Sequence, residues 1–122
     1  MRDIKFRAWH RLNSELVYFD KEKLVNDQYQ IQHLACLMRG DYGDVLMQYT
    51  GLKDKNGVEI YDGDIVSDHV GIGIIKYSEI KAAYKVSYND GFAKWFIDYM
   101  NRYERKSIEV IGNIYENPEL LK

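Results

Sequence analysis

The segment from Leu46 to Val66 constrains the chain most, because it places short apolar runs between two glycine-bearing turns. Val45, Met47 and Tyr49 fall on one side at a two-residue period, with Gln48 and Thr50 on the other, so Val45 to Thr50 reads as a strand that Gly51 ends. Asp54 to Gly57 then supplies residues that tolerate positive φ, and Asn56-Gly57 ahead of Val58-Glu59-Ile60-Tyr61 is a strong turn signal. Asp62-Gly63-Asp64 turns the chain again, its carboxylates able to accept local backbone N–H groups, before Ile65-Val66 enters another strand. Two turns thus set the register of three strands.

Upstream, Ile4, Phe6 and Ala8 alternate with Lys5, Arg7 and Trp9, the pattern of a strand. Leu16 to Phe19 is a second apolar run, and Asn13-Ser14-Glu15 between them predicts a hairpin. The face carrying Lys5, Arg7 and Trp9 is either a basic and aromatic platform for a nucleobase or, more plainly, two solvated cations beside a tryptophan that another strand or subunit covers. Asn26 to Gly40 predicts a helix: Asp27 caps with Gln30 three residues on, Ile31, Leu34, Ala35 and Met38 share a face, and Arg39 and Gly40 suit its C-terminal end. Tyr29, Ile31 and His33 also alternate as a strand would.

Downstream, Ile74 to Tyr77 and Tyr84, Val86 and Tyr88 read as strands, with Asn89-Asp90-Gly91 as a turn. Phe92, Trp95, Phe96, Tyr99, Met100 and Tyr103 recur at three and four, which predicts a second helix starting near Trp95, although Phe92 to Trp95 also fits the end of the preceding hairpin. Its tail, Arg102-Tyr103-Glu104-Arg105-Lys106, is the most basic block in the chain and suits either phosphate or the end of a helix dipole. Ile108 to Tyr115 is the last strand, apolar on both sides, as expected of a strand lying between layers or against a partner. Asn117 is then expected to cap a final turn with Pro118 at its first position.

Several chemistries fail on spacing. His33 and Cys36 stand three apart but lack the remaining ligands of a zinc set, so Cys36 reads as a small apolar residue and no metal or cofactor is expected. Aligning Gly57 with the glycine of a calcium loop puts Leu52 and Gly63 where carboxylates are required. Gly71-Ile72-Gly73 opens like a dinucleotide loop, yet the third glycine position is Lys76 in a β-prone run, so these glycines serve strand curvature or close packing. An enzyme would need Asp54, Asp62 or Asp64 to meet His10 or His69 in a cleft, and no catalytic activity is expected.

At 122 residues the length fits one domain, and 46% hydrophobic with 30% charged residues is the composition of a soluble globular protein, not of a membrane one. A net charge of −2 argues against a general polyanion binder while leaving room for a local patch. With Cys36 the only cysteine and no apolar leader after Met1, the expected compartment is the cytoplasm. The 11 tyrosines suit strands and interfaces more than helical bundles.

The run Gln48-Tyr49-Thr50-Gly51-Leu52-Lys53-Asp54-Lys55-Asn56-Gly57, with Ile60-Tyr61 and Gly63-Asp64-Ile65-Val66 behind it, resembles the signature of the YopX family of bacteriophage and prophage proteins. Ile4 to Trp9 and Glu109 to Leu121, including Gly112-Asn113, resemble that family's two ends in the right order, while Asn26 to Gly43 and Ser67 to Ser107 carry only compatible composition. His10 departs from the acidic residue the family usually has there, so that acid's role does not transfer. The resemblance implies a mainly β fold with a small SH3-like barrel element, an N-terminal hairpin and one or two short helices, and a family without an assigned biochemical activity. The signature residues Tyr49, Thr50, Gly51, Leu52, Asp54, Gly57, Tyr61, Gly63, Asp64, Gly112 and Asn113 read as structural. The expected function is that of a phage-derived structural or interaction protein, self-associating or bound to a phage or host protein. The alternative is a nucleic-acid-binding module on the barrel face, using Lys5, Arg7, Trp9, Arg102, Arg105 and Lys106, with Lys53 and Lys55 as further loop candidates.

Overall fold

The computed structural model describes residues 4–19, 28–39, 43–88, 91, 93–95 and 108–121. Within it two compact units are distinguished, Met1–Gly51 and Leu52–Lys122.

The first unit opens with the expected hairpin, β1 (Phe6–His10) and β2 (Glu15–Phe19), in the register Phe6 to Phe19 and His10 to Glu15. β3 (Val45–Lys53) pairs on the other side of β1, opposing Ala8 to Leu46, so β1 is central in the order β2-β1-β3. The expected helix forms as α1 (Gln28–Met38), but the residue it buries is Leu37, with Ala8 and Phe19 against Phe6, Val17 and Leu46, and not the face expected of Ile31, Leu34, Ala35 and Met38: Met38 is 72% exposed and Ala35 is exposed too. Burying a side chain such as Phe19 contributes about 1.5–3 kcal/mol. The capping residues Asp27 and Gly40 lie outside the described residues.

β3 does not end at Gly51. The strand passes through it with φ at 91°, a left-handed conformation open to glycine, and runs on to Lys53. Tyr49 and Thr50 are buried in succession just before it, a break in strict alternation that the left-handed residue accommodates.

The second unit is a five-stranded antiparallel sheet curled into a half barrel. It comprises β5 (Asp64–Ser67), β6 (Ile72–Ser78), β7 (Ala83–Tyr88), β8 (Ala93–Trp95) and β9 (Glu109–Asn113), in the order β8-β7-β6-β5-β9. β4 (Glu59–Tyr61) lies against the tail of β3, and the Asp54 N–H donates to the Val58 carbonyl at 2.8 Å to close that hairpin. Val66, Ile75, Val86 and Tyr88 point inward at the two-residue period and bury with Ile60 and Ile108, while Leu52, Tyr84 and Val110 pack around them. The register of β5 against β9 shifts between Ile65 and Val66, leaving Ile111 as the extra residue and bending the sheet there.

Three expectations change in this unit. Ala93–Trp95 is a strand paired with β7, the hairpin end that the sequence also allowed, so a helix does not include Trp95; cross-strand pairing outweighs a three-four spacing. The rest of that helix, with Arg102, Arg105 and Lys106, lies outside the described residues. The last strand stops at Asn113, and Ile114 and Tyr115 belong to a turn. Pro118 does open the final 3-10 helix (Pro118–Leu121), but the Asn117 side chain looks backward, accepting the Asn113 N–H at 3.3 Å.

Candidate functional site

The carboxylates of the central segment serve the backbone. Asp54 Oδ1 accepts the N–H groups of Asn56 at 2.8 Å and Val58 at 2.9 Å, closing the turn over Gly57, while Oδ2 accepts the Val110 N–H at 2.9 Å from β9. The Lys55 N–H adds a bond to the Ile108 carbonyl at 3.1 Å. Asp64, fully buried, accepts the Tyr61 N–H at 2.8 Å across the second turn. Between them Gly63 donates to the Ile75 carbonyl at 2.9 Å and accepts the Ile114 N–H at 3.0 Å, so one turn is tied to both β6 and the C-terminal turn.

The other signature residues have equally mechanical places. Tyr49, Thr50 and Tyr61 are buried and Leu52 packs on the second core. Asn113 Oδ1 accepts the N–H groups of Tyr115 at 3.0 Å and Glu116 at 2.9 Å, and its Nδ2 donates to Glu116 Oε1 at 2.9 Å. A Cβ at Gly112 would fall 2.5 Å from Asn117 Oδ1, so glycine there lets the tail lie on β9. Asp68, which the sequence did not single out, organises the β5–β6 turn by accepting the N–H groups of Val70 and Gly71 and the Tyr88 hydroxyl at 2.5 Å.

The candidate cations among the described residues differ in their surroundings. Arg7 is only 4% exposed, in the middle of the central strand with Tyr18 and Met47 as its cross-strand neighbours. The Lys5 ammonium lies 5.6 Å from the Tyr49 ring centroid, a cation–π arrangement, and Trp9 is half-buried. Lys53 and Lys55 are exposed, with Lys55 Nζ 3.7 Å from Glu109 and Asn56 Nδ2 3.4 Å from the same carboxylate. Such an exposed pair contributes little, so Lys55→Ala is expected to shift unfolding stability by less than about 0.5 kcal/mol in a urea titration.

His10 has a neighbour that the sequence left unassigned. Its Nδ1 stands 3.5 Å from Asp44 Oδ2, while Asp44 Oδ1 accepts the Arg11 N–H at 2.9 Å. The acidic residue usual at this position in the family would face Asp44 with like charge; histidine does not. His69 is exposed in the β5–β6 turn, and half-buried Cys36 accepts a hydrogen bond from Arg39 Nη2 at 3.4 Å. Among the described residues no group of three or more His, Cys, Asp or Glu side chains gathers to hold a metal, and no helix is long and apolar enough to cross a membrane.

What the second unit does present is surface on β6, β7 and β8. Tyr77 and Tyr84 meet edge to face with centroids 5.1 Å apart, and the turn between those strands exposes Ile80 to 93%. On the sheet's opposite face Lys76, Lys85 and Trp95 stand side by side, by the registers Lys76 to Lys85 and Lys85 to Trp95. Neither lysine was a binding candidate in the sequence, where Lys76 served only to rule out a dinucleotide loop and Lys85 is a single polar residue in a strand.

The crystal structure of protein EF1440 from Enterococcus faecalis is similar over 100% of both chains, with 24% sequence identity and a TM-score of 0.53, a likeness of fold. A search of curated proteins finds no match. The family model described as YopX protein matches residues 5–122, nearly the whole chain, and with the mainly β, half-barrel architecture this places the chain in the YopX family.

Proposed function

We propose that the chain is a non-catalytic interaction protein of phage or prophage origin that acts in the bacterial cytoplasm and self-associates through the end of the β6–β7 hairpin. The observation that carries this reading is the exposure of Ile80 to 93% and Tyr77 to 47% at one hairpin end. Large apolar side chains gathered at the end of a rigid hairpin mark a contact surface more than a fold requirement. The use of Asp54 and Asp64 as backbone acceptors supports a structural role for the signature over a hydrolytic one.

Light scattering over a concentration series tests it. The wild-type protein is expected to have a solution mass above that of the 14.4 kDa chain. Ile80→Glu is expected to drive it to monomer, because each copy forfeits about 1.5–3 kcal/mol of apolar burial and gains a charge in the contact. Ile80 is exposed, so the melting temperature should hardly move. A wild-type monomer at every concentration overturns self-association, and an Ile80→Glu oligomer of unchanged mass overturns the assigned surface.

A further inference from the structure

We propose that the outer face of the β6–β7–β8 sheet binds single-stranded nucleic acid, with Lys76 and Lys85 on phosphates and Trp95 stacking on a base. The inward face of these strands is fixed by buried Ile75, Val86 and Tyr88, so alternation turns Lys76 and Lys85 outward. Lys76 opposes Lys85 directly, and Lys85 opposes Trp95, which puts two ammonium groups and an indole in one row across three strands. With strands about 4.8 Å apart, the row is roughly 10 Å long between its outer Cα atoms. Lys76 is exposed and Trp95 is 37% exposed, so both reach solvent.

The charge of this face points to an anion. The neighbouring outward positions, Ile74, Ser87 and Ala93 on one side of the row and Ser78 and Ala83 on the other, carry no charge, and among the described residues neither lysine is ion-paired. Two like charges directly opposed across a pair of strands destabilise a sheet, a cost that a phosphate between them removes. The aromatic member selects the kind of anion. An indole at the end of a lysine row offers a stacking surface to an unpaired base, which a duplex keeps inside its own stack. A local basic row in a chain of net charge −2 gives binding confined to this face, not general polyanion affinity.

The test is fluorescence anisotropy of a labelled thymidine oligonucleotide of roughly 15 nucleotides, within the site sizes of small barrels, against a duplex of equal length at about 50 to 200 mM salt. The wild-type protein is expected to bind the single strand more tightly than the duplex. Lys76→Gln/Lys85→Gln should lower the magnitude of the slope of log affinity on log salt by about 1.4, two phosphates at about 0.7 each. Trp95→Ala should weaken binding by about 5- to 150-fold, the loss of one stacked base, with the salt slope unchanged. Circular dichroism checks the fold of each variant; should Trp95→Ala not fold, the lysine pair decides alone through the slope. Failure of the wild-type protein to bind at the lowest salt, equal affinity for the duplex, or a lysine variant with wild-type slope overturns the proposal. Ile80→Glu lies outside the row and should bind as the wild-type monomer unit does, which separates this surface from the self-association contact.

Discussion

Asp54→Ala is expected to lower stability by about 3 kcal/mol, a large loss for a single side chain outside the apolar cores. Its two oxygens accept three backbone N–H groups, those of Asn56 and Val58 within the turn and that of Val110 on β9. Hydrogen bonds to a charged acceptor are each worth roughly 1.5–3 kcal/mol, but the three share one carboxylate and water reaches part of the turn, so the sum is well below three times that. Asn at this position separates the two jobs. Asp54→Asn keeps one carbonyl oxygen for Asn56 and Val58, while its NH2 group then faces the Val110 N–H, donor against donor. Its expected cost is about 1–2 kcal/mol, and it falls on the β9 clasp. Urea unfolding followed by circular dichroism gives both numbers. If Asp54→Ala and Asp54→Asn lose the same amount, the turn bonds contribute nothing and the link to Val110 carries the whole effect; if Asp54→Asn costs nothing, only the turn matters.

That residue also shows what the sequence discloses and what it hides. The turn role of Asp54 is legible because its partners are two and four residues away, and local hydrogen bonding follows from residue type. The bond to Val110 spans 56 residues and has no local signature. The same division runs through the fold. The hairpin of β1 and β2, helix α1 and the two central turns follow from period and turn chemistry. Arg7 misled because alternation assigns a face but not its cover, and the middle of a central strand is covered by its neighbours. Ala93–Trp95 stood open in the sequence between a helix start and a hairpin end, because spacings of three and four in a short aromatic run fit both, and pairing with β7 decided for the hairpin. The row Lys76, Lys85 and Trp95 was invisible for the same reason: a surface assembled across three strands exists only once register is known. In contrast, reading Gly73 as a glycine of curvature or close packing needed only the absence of a third glycine and the β-prone run behind it, while Gly71, where a Cβ would meet nothing within 4 Å, is not a packing glycine.

Gly73 carries that reading into energy, and Gly73→Ala is expected to cost about 2 kcal/mol. An alanine Cβ there would stand 2.7 Å from Val86 Cγ1, 3.2 Å from the Ser87 carbonyl oxygen and 3.2 Å from Tyr88 Cδ1. Val86 and Tyr88 are buried in the second core and the Ser87 oxygen is backbone, so little can yield without shifting β7 against β6. Gly57→Ala makes the useful contrast. Its Cβ would meet nothing within 4 Å, but φ is +82°, so its cost is backbone strain of about 1–2 kcal/mol and depends on no neighbour. The two mechanisms part in a double-mutant cycle with Val86→Ala, which removes the methyl group nearest Gly73. Combined with Gly73→Ala it should be more stable than the sum of the single losses by about 1 kcal/mol, since the added methyl occupies the space vacated, whereas combined with Gly57→Ala it should simply add. Additivity in both cycles would mean that glycine at 73 serves the curvature of β6 and not its close approach to β7.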